Sequence, residues 1–347
     1  MITSQHFIRK IQQASERAKS RSGPNLLWME ENADDSRLRE PSFDFHDGIP
    51  SLTAHLNDFV RGLALITGWP NAGKSTFIVH NTLELLRRNP NAVVVDISHD
   101  DDLDKRYVQW ISNLTGLTYM SITSGRDRLT ETKRKAIEDA EAQICKWIEE
   151  ERLYPFESTE LIAIEALGGR EREISLKDFE TLFTELKRVR ARHPDKKIVV
   201  FVDAWNDMRI YGNANDYSET NKWIGELKAL CRSQNLAMVM SAHLKKTQGK
   251  VATLEDIAGS ATIGYEAIWA MIMVNQARNP ETFKNPIFIE RNGVKMEVLA
   301  GECKKSKVGG WASFNLYWGI PLGVARLVPL FYDEYLTVDK EYRNVKR

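Results

Sequence analysis

Disulfides and thiolate metal sites are the first things this sequence lacks. Its three cysteines, Cys145, Cys231 and Cys303, are odd in number, far apart and without ligand spacing. Buried free thiols in a reducing cytoplasm are the expectation. A long apolar run is missing as well. The nearest approach, Ala258 to Val274, is broken by Glu266 and by glycines and polar residues, and the N-terminus has no apolar signal core. No membrane span and no export signal are therefore expected. Net charge is also absent, because 48 Lys and Arg balance 48 Asp and Glu. That removes the global basic signature of a nucleic-acid coat protein, and leaves only local basic loops as a means of holding nucleic acid. Neither an internal repeat nor a low-complexity tract occurs. In 347 residues with 42% hydrophobic and 28% charged side chains there is enough apolar material for one large core or two small ones.

What is there begins with Gly68-Trp69-Pro70-Asn71-Ala72-Gly73-Lys74-Ser75-Thr76, a full match to G-x-x-x-x-G-K-[ST]. It follows the apolar run Leu63-Ala64-Leu65-Ile66 and precedes the helix-like Phe77 to Leu86, which is the context such a loop demands. Glycines let successive amides turn toward phosphate oxygens. Lys74 supplies a positive charge for the β and γ phosphates and Ser75 a hydroxyl for Mg²⁺. The expected ligand is ATP with Mg²⁺.

Strands and helices alternate from about residue 46, which implies a parallel sheet covered by helices. The expected strands are Leu63–Thr67, Ala92–Ile97, Leu161–Ala166, Ile198–Val202, Leu236–Ser241 and Ile268–Val274. Helices are expected from Thr130 to about Arg152, from Ser175 with Ser175 and Asp178 as an S-x-x-D cap, and from Ser218 through Cys231. After residue 285, Pro286–Ile289, Lys295–Leu299 and Ser313–Trp318 read as β-hairpin strands closing the sheet edge. Residues 1–45 form a separate N-terminal helical arm and linker, with helical spacing over Gln5 to Ala14 and a break at Ser20, Ser22, Gly23 and Pro24. This arm either docks on another subunit or lies on its own domain, which spans 46–347.

A P-loop enzyme needs a second anchor for Mg²⁺, an Asp at the end of a buried strand. Lys197-Ile198-Val199-Val200-Phe201-Val202-Asp203 has that shape, so Asp203 is the metal candidate beside Ser75. Hydrolysis needs a carboxylate to orient water. Ser98-His99-Asp100-Asp101-Asp102 follows an apolar strand, with Asp100 the first candidate and Asp101 the second; the alternative is a solvated helix start carrying favourable negative charge. His243, at the tip of Leu236–Ser241, is positioned to sense the γ phosphate.

These segments, in this order, carry a resemblance. Asp47 to Leu52, the P-loop, Ser98-His99-Asp100, Ser124 to Thr130, Asp203, Ser241 to Lys246, Leu254 to Ile263 and Lys304 to Gly310 together resemble the RecA-type ATPase domain of DnaB-family hexameric helicases, phage and plasmid members especially. The resemblance covers about residues 46 to 320. It implies a homo-oligomeric ring, a hexamer in that family, with ATP between subunits, single-stranded DNA through the centre and a replication or loader protein as partner. It also implies that Lys305 and Lys307 reach the neighbour's γ phosphate. Lys307 stands where the family has Arg, and Asp100 where it usually has Glu; a lysine cannot make the planar bidentate contact of an arginine. DNA-facing loops fall at Tyr211–Asp216 and at Lys245-Lys246-Thr247-Gln248-Gly249-Lys250. The second holds three lysines and no acid, which suits backbone phosphates rather than base reading. The competing reading is a RecA-like ATP-dependent loader or scaffold that unwinds nothing.

Overall fold

Strands that are apolar at nearly every position, such as Val93-Val94-Val95, need cover on both faces. The computed structural model, which describes residues 4–20, 61–123, 129–164, 170–208, 217–245, 252–257, 262–279, 283–307 and 314–345, provides it. In chain order the elements begin with α1 (Ser4–Ser20), β1 (Gly62–Gly68), α2 (Lys74–Arg88), β2 (Ala92–Ser98), α3 (Leu103–Thr115), α4 (Tyr119–Thr123) and α5 (Glu131–Glu149). Next come β3 (Leu153–Glu157), β4 (Thr159–Ile164), β5 (Arg170–Ser175), α6 (Phe179–Arg192), β6 (Lys197–Asp203), α7 (Tyr217–Ser233) and β7 (Leu236–His243). The remainder holds α8 (Thr262–Glu266), β8 (Trp269–Asn275), β9 (Phe288–Arg291), β10 (Val294–Ser306), β11 (Phe314–Pro321), β12 (Val328–Pro329) and α9 (Tyr332–Val345).

The main sheet runs β12-β11-β10-β8-β1-β7-β6-β2-β3, with β9 paired to β10. From β8 to β3 the strands are parallel. The others are antiparallel hairpins at one edge, as the texture after residue 285 implies. Every residue of β1, β2 and β8 is buried. The fold is thus α/β with a central, mostly parallel sheet, and all six parallel strands aim their carboxyl ends at one edge, where such sheets bind ligands.

Two local expectations are corrected. The run from Leu161 does not join the main sheet: β4 pairs antiparallel with β5 in a separate two-stranded sheet. The edge strand beside β2 is β3, whose sequence Leu-Tyr-Pro-Phe-Glu is disguised by Pro155. Proline lacks the ladder donor and is tolerated only on an edge, which is where β3 lies. Secondly, Ser175 belongs to β5, so it caps nothing; α6 starts at Phe179 with Asp178 in the cap position.

Of the two dispositions open to the N-terminal helix, α1 packs on its own chain. Phe7, Ile11 and Ala14 are buried, and the Phe7 ring stands edge-on to Tyr154 and Phe156 with centroids 6.3 and 5.3 Å away. Lys10 pairs with Glu157. The rest of the expected arm lies outside the described residues. Cys231 and Cys303 are buried free thiols, and Cys145 is half-buried. Among the described residues, no helix is long and apolar enough to cross a membrane.

Candidate nucleotide site

At the end of β1 the chain must turn within touching distance of its neighbour. A Cβ on Gly68 would lie 2.6 Å from the Met273 carbonyl oxygen of β8, so only glycine fits there. Gly73, with a φ of 93°, then opens α2, and a Cβ there would also crowd Leu299 at 3.1 Å. The turn leaves the unbonded amides of the α2 N-terminus facing the carboxyl edge of the sheet. Lys74 is buried, and its Nζ donates to the carbonyl oxygens of Gly68 and Trp69, each at 3.0 Å. Burial lowers its pKa to about 8, against the opposing pull of Asp203 and Asp100. Both carbonyls occupy the role that phosphate oxygens would take over.

Asp203 ends β6 with both carboxylate oxygens held. Oδ1 accepts from Ser241 Oγ on β7 at 2.5 Å, and Oδ2 from Arg106 Nη2 on α3 at 3.2 Å. Burial alone would raise its pKa, but the charge on Arg106, hydrogen bonds from Ser241 and Ser75, and the charge on Lys74 hold it below the ordinary value. Arg106 Nε also lies 3.7 Å from Asp96 Oδ2 in the middle of β2, so one buried guanidinium serves two buried carboxylates. Burial pushes the Asp96 carboxyl up, against the attraction of Arg106. Ser75 and Asp203 both line the cavity, offering one hydroxyl and one carboxylate. That donor set fits Mg²⁺, which keeps several waters and takes its remaining oxygens from phosphates.

The acidic turn after β2 sorts into separate tasks. Asp102 caps α3 by accepting from the Lys105 amide at 2.8 Å, and Asp104 lies in its first turn. Asp101 is buried, paired with Lys105 and bonded by Gln109 Nε2 at 3.3 Å. Asp100 is exposed toward the cavity and acts electrostatically on both Lys74 and His243. The solvated-helix-start alternative thus describes Asp102 and Asp104, whereas Asp100 is left facing the P-loop. His243 sits level with Gly68 across the β1–β7 ladder, and its amide donates to Asn206 Oδ1 at 2.6 Å. Burial and the nearby Lys74 charge lower its pKa.

P-loop residues, Asp100, Asp203 and His243 all line one cavity of about 350 Å³. Its opposite wall is made by Tyr119, Asn275, Arg278, Glu297 and the turn from Ile320 to Ala325. No protein-family model matches this chain, and no curated protein does. Solved structures do. The ATPase domain of one helicase superposes with a TM-score of 0.60 at 14% identity, covering 78% of this chain and 85% of that one. A DnaB-like replicative helicase, studied for its interactions with primase, superposes with a TM-score of 0.63 at 15% identity, covering 81% of this chain and 60% of that one. The chain has the RecA-type ATPase fold of DnaB-like helicases. In the second comparison it spans less than two thirds of the other protein's length.

Within this RecA-type fold, Lys305 and Lys307 do not line the cavity. Lys305 pairs with Ala270 near the amino end of β8, after a bulge, and its Nζ donates to the Gly264 carbonyl at 3.3 Å. Burial and the Lys307 charge lower its pKa to about 8. The Lys307 amide donates to the Ile268 carbonyl at 2.7 Å. Of the basic loop, Lys245 is exposed, while Lys246 and Lys250 lie outside the described residues, as do Tyr211–Asp216. Sequence reading missed Arg106, Ser241, Asn206 and Glu297 as site residues. Arg106 had a signal: it falls on the apolar stripe of Leu103, Tyr107 and Trp110, and Asp96 interrupts an apolar strand, so two opposite charges on buried faces needed each other.

Proposed function

We propose that this chain is an ATP-hydrolysing motor of the DnaB-helicase type, which moves along single-stranded DNA as a homo-oligomeric ring, six subunits by analogy, and unwinds duplex during replication. The observation that carries the reading is the bond pattern at Gly68. Its carbonyl accepts from Lys74 Nζ at 3.0 Å and from the Leu244 amide at 3.3 Å. Leu244 follows the sensor position and precedes Lys245, whose amide bonds the Asp256 carbonyl at 2.7 Å. The phosphate lysine and the first residues of the basic loop thus share one acceptor.

In this mechanism Lys74 transfers its hydrogen bonds from the two loop carbonyls to the β and γ phosphates. Ser75 and Asp203 would hold Mg²⁺, which when bound would supply positive charge to the phosphate oxygens. Asp100 orients the attacking water. His243, tied to Asn206 behind Asp203, registers loss of the γ phosphate and passes it through Leu244 to Lys245, Lys246 and Lys250, which grip the DNA backbone. Lys305 and Lys307, at the far end of β8, act on the nucleotide of the neighbouring subunit. The DnaB-like neighbour interacts with primase, which supports a replication or loader protein as a partner here.

His243→Ala is expected to bind ATP with near-normal affinity but to lose stimulation of turnover by single strands. Equal stimulation in variant and parent would make the histidine purely structural. The reading as a whole is tested by strand displacement on forked DNA alongside strand-stimulated ATPase. Displacement that needs ATP is expected; stimulated turnover with no displacement would assign the chain to the loader class. Replacing Lys245, Lys246 and Lys250 by Ala should lower the slope of log K against log salt by about 0.7 per lost phosphate contact. An unchanged slope would put the strand elsewhere.

A further inference from the structure

The cavity has two chemically different flanks, set by strand order. On one side of β1 lie β7, β6 and β2, which bring His243, Asp203 and Asp100. On the other lie β8, β10 and β11, which bring Asn275, Glu297 and Ile320. A nucleotide whose terminal phosphate meets the first flank must direct its nucleoside toward the second.

Glu297 is an unexpected group there. It is 5% exposed, and that remaining surface opens on the cavity. Asn275 Nδ2 and Arg278 Nε both donate to its Oε2, at 2.9 and 2.8 Å. Among the described residues none donates to Oε1. Desolvating a carboxylate is costly, and one left with an open acceptor calls for a donor. Phosphates cannot supply it, since they are anionic and carry only acceptors at neutral pH. The nearest donors of a nucleotide beyond its phosphates are the ribose hydroxyls.

Resting on the nucleotide-site reading above, we propose that Glu297 accepts hydrogen bonds from the ribose hydroxyls and makes this site selective for ribonucleotides. Asn275 and Arg278 fix the carboxylate, so that the sugar meets a preset acceptor rather than a flexible one. A sugar without hydroxyls gives the cavity-facing Oε1 no partner, and a site built to bond a hydroxyl discriminates against its absence.

The test is calorimetric binding of ADP, 2′,3′-dideoxy-ADP and IDP, each with Mg²⁺, to the full chain and to Glu297→Gln and Glu297→Ala. The parent is expected to favour ADP over the dideoxy nucleotide by about tenfold or more, the scale of a hydrogen bond to a charged group. Glu297→Ala should reduce that preference to within about threefold, and the isosteric Glu297→Gln should fall between. Equal binding of the two sugars by the parent would overturn the proposal. So would an equal loss for both sugars in the variants, because Glu297 would then serve only to hold Arg278. A change confined to the preference for ADP over IDP would reassign Glu297 to the base and likewise overturn it. Binding of none of the three would overturn the nucleotide-site reading itself, and this inference with it; binding without sugar preference overturns the inference alone.

Discussion

Lys74→Ala is expected to lower ATP turnover by at least about 10²-fold, the scale seen when one preorganised group facing developing charge is removed. The fold should survive, because the amine contributes nothing to packing that Gly68 and Trp69 could not replace with water. Its removal should even help the empty protein. The folded-state pKa is about 8 against 10.5 for an ordinary lysine. Below pH 8 both states carry the proton and the folded state bears the cost of a buried charge. Between pH 8 and 10.5 the unfolded chain keeps a proton that the folded chain has released, so stability rises with pH. Denaturant melts of nucleotide-free parent and Lys74→Met should therefore favour the variant at about pH 7 and converge toward pH 10.5. Parallel curves would mean the amine is not penalised by burial. A further arm uses the proposed ring. Lys74→Ala and Lys307→Ala subunits, each inactive alone, should regain some turnover when mixed, because junctions pairing an intact P-loop with an intact Lys307 can form. No recovery would sink the shared-site role of Lys307, and near-normal turnover of Lys74→Ala alone would remove the basis of the function proposed.

The second large effect is expected at Arg106, which no motif marks. Arg106→Met keeps the aliphatic stem but leaves Asp96 and Asp203 buried without their common cation. Breaking a buried pair from one side typically costs about 3–5 kcal/mol. The pH dependence follows from the directions of the shifts. In the parent, the depressed Asp203 pKa gives stability that is present above the unfolded value and lost as pH falls through the folded one. In the variant both carboxyls are raised by burial, so that chain loses stability as pH climbs. The gap between parent and variant should be widest near neutrality and narrow toward about pH 4. Adding Asp96→Asn should restore part of the stability, since one of two orphaned carboxylates is gone. A loss below about 1 kcal/mol at neutral pH, read from urea melts, would show that the cluster is effectively solvated. Mg²⁺ titrations with bound ADP give an independent readout, because Asp203 without its clamp on Oδ2 should hold the metal more weakly.

These two residues differ in how they could be found. Lys74, Ser75 and the glycines around them occupy one strand, one turn and one helix start, so contiguous sequence specifies the backbone path of the loop. The positions of Asp203 and His243 at the carboxyl edge of the sheet were legible for a related reason: a polar residue that closes a largely apolar strand emerges at the sheet edge. Which segments form the parallel strands followed from alternating patterns, except for β3, where Pro155 hid an edge strand and the run from Leu161 took its place; the order of those strands in the sheet did not.

Contiguous residues could not say how Asp100 and Asp101, which both line the cavity, are partnered. Lys105 and Gln109, one and two turns along α3, hold Asp101 and leave Asp100 open. Nor could they pair Arg106 with Asp96 and Asp203, tie Asn206 to the His243 amide, or set Glu297 opposite the P-loop. Backbone conformation and burial periodicity are local properties, written by neighbouring residues through sterics and hydrophobic spacing. Which charges meet depends on strand order, register and helix rotation, and those were decided only when the sheet assembled, because the cost of burying each charge had to be met by a partner from a distant part of the chain.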